Sequence, residues 1–564
     1  MKITNLSLTN FRSFKNTQSI EFAKLTLLFG PNSVGKSTIL LALFYLQHIL
    51  KSGQCDPQRI DALGSKYVGG FKNLVHGRDL GKSITIKIEY DKEGAIGSTY
   101  ARVLPMLSHS ESIDDSIPLL EDQASATETV ALEFVISWST SQNKAFVEKY
   151  SVWLNGESIG EMHSDAGLKN PIIETLNLKH PLLVTSDHDE WLDVLLETGF
   201  ESRLESFLNK QTQFGFKGKA GALPTLGQTL KTTFNHESSI ATAIINEAIS
   251  EVFVSPLDNL LDMLDDSVCI GPLRKIPDAT YRPNQYPKQG DWYDGTASWD
   301  ELHDVKFDRD LSINNWLSEK HLNIGYQLAY LTTKTKETYL LADKPAEFDD
   351  LLALKSVLGD KIALSVSRGN LAENPNALNR TVDNLDSEKI ELVAPLSKLY
   401  LGERNKKELS PTLWDMTLEL PVTSADVGVG VSQVIPLIIA AHKVSKGLVA
   451  CEQPELHIHP RVQVGLGDLL TQPSGTPPFL TNPQFLIETH SEHLMLRVLK
   501  RIRQTADEEL PEGFSPVKNT DVSILYLEPT KEGILVRRIN IDDEGEFIDR
   551  WPHGFFGERR EELM

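Results

Sequence analysis

A short run near the start of the chain constrains its fold more than any other feature. Gly30-Pro31-Asn32-Ser33-Val34-Gly35-Lys36-Ser37-Thr38 satisfies G-x-x-x-x-G-K-[ST]; the apolar run Leu25-Thr26-Leu27-Leu28-Phe29 feeds into it, and an apolar-rich segment from about Ser37 to Leu50 leaves it. Strand, glycine turn and helix in that order aim backbone N–H groups and a helix N-terminus at one anion, the geometry of a phosphate-binding loop. Asn32, Ser33, Val34, Gly35, Lys36, Ser37 and Thr38 are therefore the candidate nucleotide contacts. Lys36 is expected to reach the β/γ-phosphates and Ser37 to ligate Mg²⁺, so ATP and Mg²⁺ are the expected ligands.

Two further apolar runs end in polar residues of the kind that such a site uses. Gly447-Leu448-Val449-Ala450-Cys451 runs into Glu452-Gln453-Pro454-Glu455-Leu456-His457-Ile458-His459-Pro460. An acidic residue at the C-terminal end of a buried parallel strand is placed to hold Mg²⁺, which assigns that role to Glu452. His457 and His459 alternate with apolar residues but lack a third ligand nearby, so turn or interface contacts are the expectation for both. Gln484-Phe485-Leu486-Ile487-Glu488 runs into Thr489-His490-Ser491 and then an amphipathic segment with Leu494, Leu496, Val498 and Leu499. A histidine at that edge can touch a γ-phosphate or an attacking water.

In this order the pieces resemble the ABC-type ATPases of the RecF, SMC and OLD group. Leu6 to Phe14 is similar to that group's first strand and N-F-[RK]-S-F turn, which adds Arg12 to the candidate nucleotide contacts. Asp426-Val427-Gly428-Val429-Gly430-Val431-Ser432-Gln433, followed by the apolar run Val434 to Ile439, resembles its divergent signature motif. The resemblance implies an α/β fold: an ABC-type P-loop ATPase core split across both chain ends, with an antiparallel β-subdomain and an inserted helical domain. It also implies a homodimer or higher oligomer that closes around ATP. Lys36 and Ser37 would act in cis, Gly430 and Ser432 in trans, and Asp426 would orient the signature loop. Where the group reads Asp-Glu after the second strand, this chain reads Glu452-Gln453. An amide can position a water but cannot take its proton, so hydrolysis is expected to be slow, with Gln453, Glu455 and His490 the candidate catalytic residues.

Glu452 to Pro460, Ile270-Gly271-Pro272-Leu273-Arg274 and the tail Gly545 to Phe556 resemble a bacterial subfamily with a short C-terminal extension, related to the ATPases of Septu-type and retron-associated antiphage defence. That resemblance implies a separate nuclease subunit, of HNH type, and for retron-associated members a reverse transcriptase with its nucleic acid.

The rest of the chain narrows the alternatives. A formal charge of −22 argues against wholesale polyelectrolyte binding, leaving DNA or RNA contact to local basic patches. Three cysteines without a CxxC pair support neither a disulfide framework nor a cysteine zinc site. The opening residues lack a signal-peptide core, and no apolar stretch is long enough to span a bilayer, so a cytoplasmic location without membrane contact is expected. Alternation at Ile84, Ile86 and Ile88 and at Leu132, Phe134 and Ile136, with an Asn155-Gly156 turn, predicts antiparallel strands. Residues from about 165 to 265, with Trp191, Leu192, Leu195 and Leu196 and later Ile244, Ile245 and Ile249, read as mostly helical. The resulting division is 1–160 and 391–510 for the two parts of the ATPase domain, 161–270 for the helical insertion, 271–390 for a connecting region and 511–564 for a C-terminal extension. Phe214, Phe216, Lys217 and Lys219 form one candidate nucleic-acid contact by stacking and charge, and Arg497, Lys500, Arg501 and Arg503 a second; a mobile linker and a solvated face are the plainer readings. The aromatic run Phe547 to Phe556 is expected to pack on the core or a partner.

The segment after His490 is too short for an OLD-type nuclease domain, and the sequence shows no nuclease site. The leading expectation is an ATP-binding, slowly hydrolysing regulatory subunit that dimerises around ATP and controls a separate nuclease effector in antiphage defence. A RecF/SMC-like DNA-repair ATPase and a non-catalytic scaffold holding structural ATP are the alternatives.

Overall fold

The computed structural model describes residues 1–100, 124–167, 171–177, 180–182, 214–234, 239–277, 281–304, 306–332, 338–342, 362–366, 409–418, 420–422, 427–476 and 479–552. Its centre is a six-stranded sheet in the order Val268–Ile270, Leu448–Glu452, Gln484–Glu488, Leu25–Phe29, Val522–Thr530, Gly533–Arg538. The first five strands are parallel and the last is antiparallel. Parallel strands are buried on both faces and so read as near-continuous apolar runs, which is why Leu25–Phe29, Leu448–Glu452 and Gln484–Glu488 show no alternation in the sequence.

Alternate residues of these strands enter two different cores. Leu28, Ala450, Leu486 and Leu525 join one cluster with the helix Lys36–Ser52 and a large antiparallel sheet. Leu27, Cys451, Ile487 and Ile524 join a second, with the helices Val429–Lys443, Pro460–Leu469 and Glu492–Ala506. Lys36–Ser52 is apolar almost all round because it lies between the two sheets, and it ends at Gly53 in the left-handed region.

The antiparallel sheet has eight strands, in the order Phe214–Gly215, Ile172–Leu176, Glu157–His163, Lys144–Leu154, Thr129–Ser139, Ile84–Asp91, Lys2–Thr9, Gln18–Glu21. The Asn155-Gly156 turn is present with both residues at positive φ, and the Asn155 side-chain oxygen accepts from the Glu128 and Thr129 amides. A separate five-stranded sheet, Ile362–Val366, Thr338–Ala342, Tyr326–Thr332, Leu409–Asp415, Leu420–Val422, joins the connecting region to the start of the second ATPase part, where the sequence suggested no elements.

The insertion differs from its mostly helical reading. Among the described residues its first part adds Ile172–Leu176 and Phe214–Gly215 to the edge of the antiparallel sheet, and helices appear at its end, Ser239–Phe253 and Ser255–Asp266. Ile244, Ile245 and Ile249 lie in the helix Ser239–Phe253, as their spacing indicated. Trp191 to Leu196 lie outside the described residues.

Most residues of the two candidate nucleic-acid contacts are engaged internally. Phe216 is buried, and Phe214 packs edge-on against Phe234 at 5.7 Å. Lys219 Nζ donates to the Leu50 and Lys51 carbonyls at 2.8 and 2.6 Å, tying off the last turn of Lys36–Ser52. Lys217 is exposed. On the helix Glu492–Ala506, Arg501 is buried and grips Asp468 through Nε and Nη2 at 2.7 and 3.0 Å while stacking on Phe514. Arg497 also reaches Asp468, at 3.0 Å, and Arg503 pairs with Glu546. Lys500 and Arg503 are exposed. Lys219→Ala should therefore destabilise the fold by about 1 kcal/mol, read by chemical denaturation, without altering retention on single-stranded DNA. Loss of DNA retention at unchanged stability would restore the stacking reading.

The C-terminal segment packs on the core. Trp551 meets Phe29, the residue before the glycine turn, edge-on at 5.2 Å and Phe547 at 5.4 Å. Phe555 and Phe556 lie outside the described residues. Among the described residues no helix is long and apolar enough to cross a membrane.

Candidate nucleotide site

The candidate residues gather at the C-terminal edge of the parallel strands. Gln484–Glu488 lies between Leu25–Phe29 and Leu448–Glu452, and the register sets Glu452 opposite Glu488 and Glu488 opposite Leu28. Gly30, Glu452 and Thr489 therefore leave the sheet at one level, beside the start of the helix Lys36–Ser52.

The loop needs its glycines. Gly30 has φ 136°, and a Cβ there would lie 2.5 Å from the Leu527 carbonyl oxygen. Gly35 has φ 111°, and a Cβ would lie 2.2 Å from Ser13 Oγ. The second contact also sets the N-terminal turn against the loop. Arg12, next to Ser13, is in the left-handed region, with its amide donating to Leu74 O at 2.7 Å and its carbonyl beside His76 Nδ1 at 2.7 Å. Burial holds the Arg12 guanidinium below its usual pKa, and among the described residues it has no ion-pair partner, so an anion beside it would be stabilising. Pro31, Asn32 and Ser33 are exposed, whereas Val34 and Thr38 are buried anchors.

Lys36 is 3 % exposed. Its Nζ donates to the Gly30 and Pro31 carbonyls at 2.8 and 2.9 Å and lies 3.7 Å from Glu488 Oε1. Burial lowers its pKa, and Glu488 works against that shift. Ser37 Oγ is 2.8 Å from Glu488 Oε2 and 3.1 Å from Glu452 Oε2. One hydroxyl has one proton, so it cannot satisfy both carboxylates at once. Two carboxylates and a hydroxyl converging with too few protons form a hard-oxygen donor set, and Mg²⁺ commonly takes one or two carboxylates together with substrate phosphates. The residues present thus fit Mg-ATP. Burial raises the Glu488 pKa, opposed chiefly by Lys36.

The remaining candidates surround this centre. Gln453 has φ 47°, and its amide donates to the Glu488 carbonyl at 2.7 Å. Glu455 has both oxygens engaged, Oε2 accepting from Thr489 Oγ1 at 2.8 Å and Oε1 from the His490 amide at 2.7 Å; burial raises its pKa. Burial and then the Lys36 charge lower the pKa of His490, which favours the neutral imidazole. His459 caps the helix Pro460–Leu469, accepting from Arg461 N at 3.2 Å, and His457 is a turn residue at φ 62°. Gly428 precedes the helix Val429–Lys443; a Cβ on Gly430 would lie 3.0 Å from the His457 carbonyl, so this helix start rests on the loop after Glu452. Ser432 is buried and its hydroxyl donates to the Val429 carbonyl at 2.8 Å, while Val429 is 49 % exposed. Asp426 lies outside the described residues.

Four contributors were missed by sequence reasoning. Glu488 stood in a recognised strand, but only the register reveals it as the neighbour of Glu452. Arg274 Nη1 donates to the Gln433 carbonyl at 2.9 Å and Nη2 to the Glu452 carbonyl at 3.1 Å, joining the helix Val429–Lys443 to the strand Leu448–Glu452. Tyr293 and Lys66 both approach Glu452 Oε1, at 3.1 and 3.5 Å, from segments without any motif.

Comparison with known proteins agrees with this architecture. Residues 1–213 match the family model described as "AAA ATPase domain", and residues 291–496 match "AAA domain, putative AbiEii toxin, Type IV TA system". Residues 517–564 match a "Protein of unknown function (DUF3696)". No curated protein matches the chain. Among solved structures, an SMC head bound to the C-winged helix domain of ScpA aligns at 11 % identity and TM-score 0.35, covering 96 % of this chain and 98 % of that one. The SMC head domain from Thermotoga maritima aligns at 9 % identity and TM-score 0.34, covering 96 % and 100 %. These likenesses are distant, and the assignment rests on the sheet order, the loop and the two ATPase-domain matches. Together they give the chain a P-loop ATPase core of the AAA class, split across its two ends.

Proposed function

We propose that this protein is a slowly hydrolysing, Mg-ATP-gated subunit that closes on a second copy of itself and controls a separate nuclease effector in bacterial antiphage defence. The observation that carries the nucleotide part is the Ser37 hydroxyl shared by Glu452 and Glu488 at the mouth of the Gly30–Gly35 turn. Bound there, Mg²⁺ would neutralise phosphate charge. Ser37 and Glu452 would hold it with Glu488 beside them, and Lys36 would leave its two carbonyls for the β/γ-phosphates. Asn32 to Thr38 would surround the phosphates from the same chain, and Arg12 would approach from the adjoining turn. Gly430 and Ser432 would face the nucleotide of the other copy, which requires the Ser432 hydroxyl to rotate away from Val429.

Slow turnover follows from the side chains near the water. Gln453 cannot take a proton, and Glu455 serves as a strut between Thr489 and His490, leaving neutral His490 to orient rather than to supply charge. Such a subunit acts as a timer, with residues 1–160 and 391–510, joined by the strands Val268–Ile270, Val522–Thr530 and Gly533–Arg538, as its core.

In this reading nuclease chemistry lies on another chain, of HNH type, with a reverse transcriptase and its nucleic acid as a further partner class. The toxin description of the matched second ATPase family supports a defence setting, and the proposed place of action is the cytoplasm. Internal pairing of the arginines and Lys219 disfavours the DNA-repair alternative. The test is affinity purification of the tagged full chain expressed with its own gene neighbours. A nuclease subunit that co-purifies and is released or activated on ATP turnover is the expected result; a lone chain with fast, DNA-stimulated hydrolysis would contradict the reading.

A further inference from the structure

Glu452 is asymmetrically held. Its Oε2 faces Ser37, while its Oε1 accepts from Tyr293 OH at 3.1 Å and lies 3.5 Å from Lys66 Nζ. Lys66 in turn donates to Tyr293 OH at 3.3 Å and sits 5.4 Å from the centre of its ring, so these three groups form a closed triangle.

The triangle is built from distant pieces of chain. Lys66 belongs to the small hairpin of Arg59–Ile60 and Lys66–Tyr67, and Tyr293 follows the short helical turn Gln289–Trp292. A Cβ on Gly290 would lie 2.1 Å from the Asp61 carbonyl oxygen, and one on Gly271 would lie 3.0 Å from the Tyr293 ring, so hairpin, turn and the end of the strand Val268–Ile270 are in close contact. Gln47, within the helix Lys36–Ser52, donates to Gln289 Oε1 at 2.8 Å and fixes the same turn to the helix that begins at Lys36. Tyr293 is thus held from three sides with its hydroxyl on one carboxylate oxygen.

We infer that Tyr293 is a positioning residue of the Mg-ATP site, clamping Oε1 of Glu452 so that Oε2 stays aimed at the metal position beside Ser37, and that Lys66 tunes the charge of the same carboxylate. The inference rests on the nucleotide reading above and goes beyond it by assigning metal affinity to these two residues. A hydrogen bond to the outer oxygen fixes the rotation of a metal-binding carboxylate, and loss of such a bond typically costs about 10–100-fold in metal affinity. Lys66 has the opposite effect. Its charge competes with the cation for Glu452, so the site takes Mg²⁺ efficiently when phosphates add their own negative charge.

The test titrates Mg²⁺ into full-length protein with a fluorescent ATP analogue, alongside nucleotide binding in EDTA. Tyr293→Phe is expected to raise the half-saturating Mg²⁺ concentration about 10-fold or more, with affinity in EDTA unchanged. Lys66→Gln is expected to lower it. Unchanged Mg²⁺ dependence in both variants would overturn the inference, as would equal weakening with and without metal, which is the mark of a merely structural role. Wild-type protein whose nucleotide binding ignores Mg²⁺ would overturn the functional reading itself, and that outcome is visible before either variant is made.

Discussion

Gln453→Glu is expected to raise steady-state ATP hydrolysis by about 10²-fold or more, since restoring a positioned general base is typically worth about 10²–10⁴ in rate. The exchange is nearly isosteric, and the backbone at this position is fixed independently of the side chain. Its amide is bonded to the Glu488 carbonyl at 2.7 Å, and the Arg274 guanidinium holds the carbonyl of the preceding Glu452 at 3.1 Å. The new carboxylate should thus arise without refolding. Glu455 gives no ready substitute in the wild type, because its two oxygens accept from Thr489 and the His490 amide. Steady-state phosphate release from purified protein, wild type against variant, is the measurement. An unchanged rate, or wild-type turnover already comparable to ordinary ATPases, would show that another group activates the water and that the protein is no timer.

Lys36→Ala is expected to weaken ATP binding at least about 30-fold. Truncating one partner of a buried, hydrogen-bonded charge contact costs roughly 2–5 kcal/mol, which is that factor or more. The wild-type ammonium is almost fully buried within the loop that would hold the phosphates, where it is held by the Gly30 and Pro31 carbonyls. The substitution also removes the cation beside Glu488, and ATP-free stability must be followed by chemical denaturation to separate the two effects. Isothermal titration should show lost affinity in a folded protein; near wild-type affinity would remove the loop from the binding account.

The loop, its strand and its helix were legible because one local pattern fixes all three. The same holds for Glu452 and for the antiparallel strands, whose one-sided burial leaves alternation in the sequence. Glu488, Tyr293 and Lys66 were not legible. They meet Ser37 and Glu452 through strand register and through contacts between the hairpin near residue 60 and the turn near 290, and no local periodicity encodes such long-range pairing. In the insertion the helical spacing of Ile244, Ile245 and Ile249 was legible, whereas the strands Ile172–Leu176 and Phe214–Gly215 were not, because they are fixed by pairing at the edge of Glu157–His163 rather than by a local period. Lys219 and Arg501 show the converse error, since a basic side chain looks available in a sequence even when a helix end or a buried Asp468 already claims it.

In the proposed dimer, ATP lies between the glycine turn of one copy and the start of the helix Val429–Lys443 of another. Asn32 and Val429 are both exposed, and the three native cysteines are buried, so single cysteines introduced at these positions report contact with little background. Full-length Asn32→Cys and Val429→Cys proteins should be mixed and oxidised with and without Mg-ATP. A disulfide joining one of each, formed with Mg-ATP and lost without it, is the predicted result; no mixed disulfide, or one that forms equally without nucleotide, would contradict the sandwich of ATP between two copies.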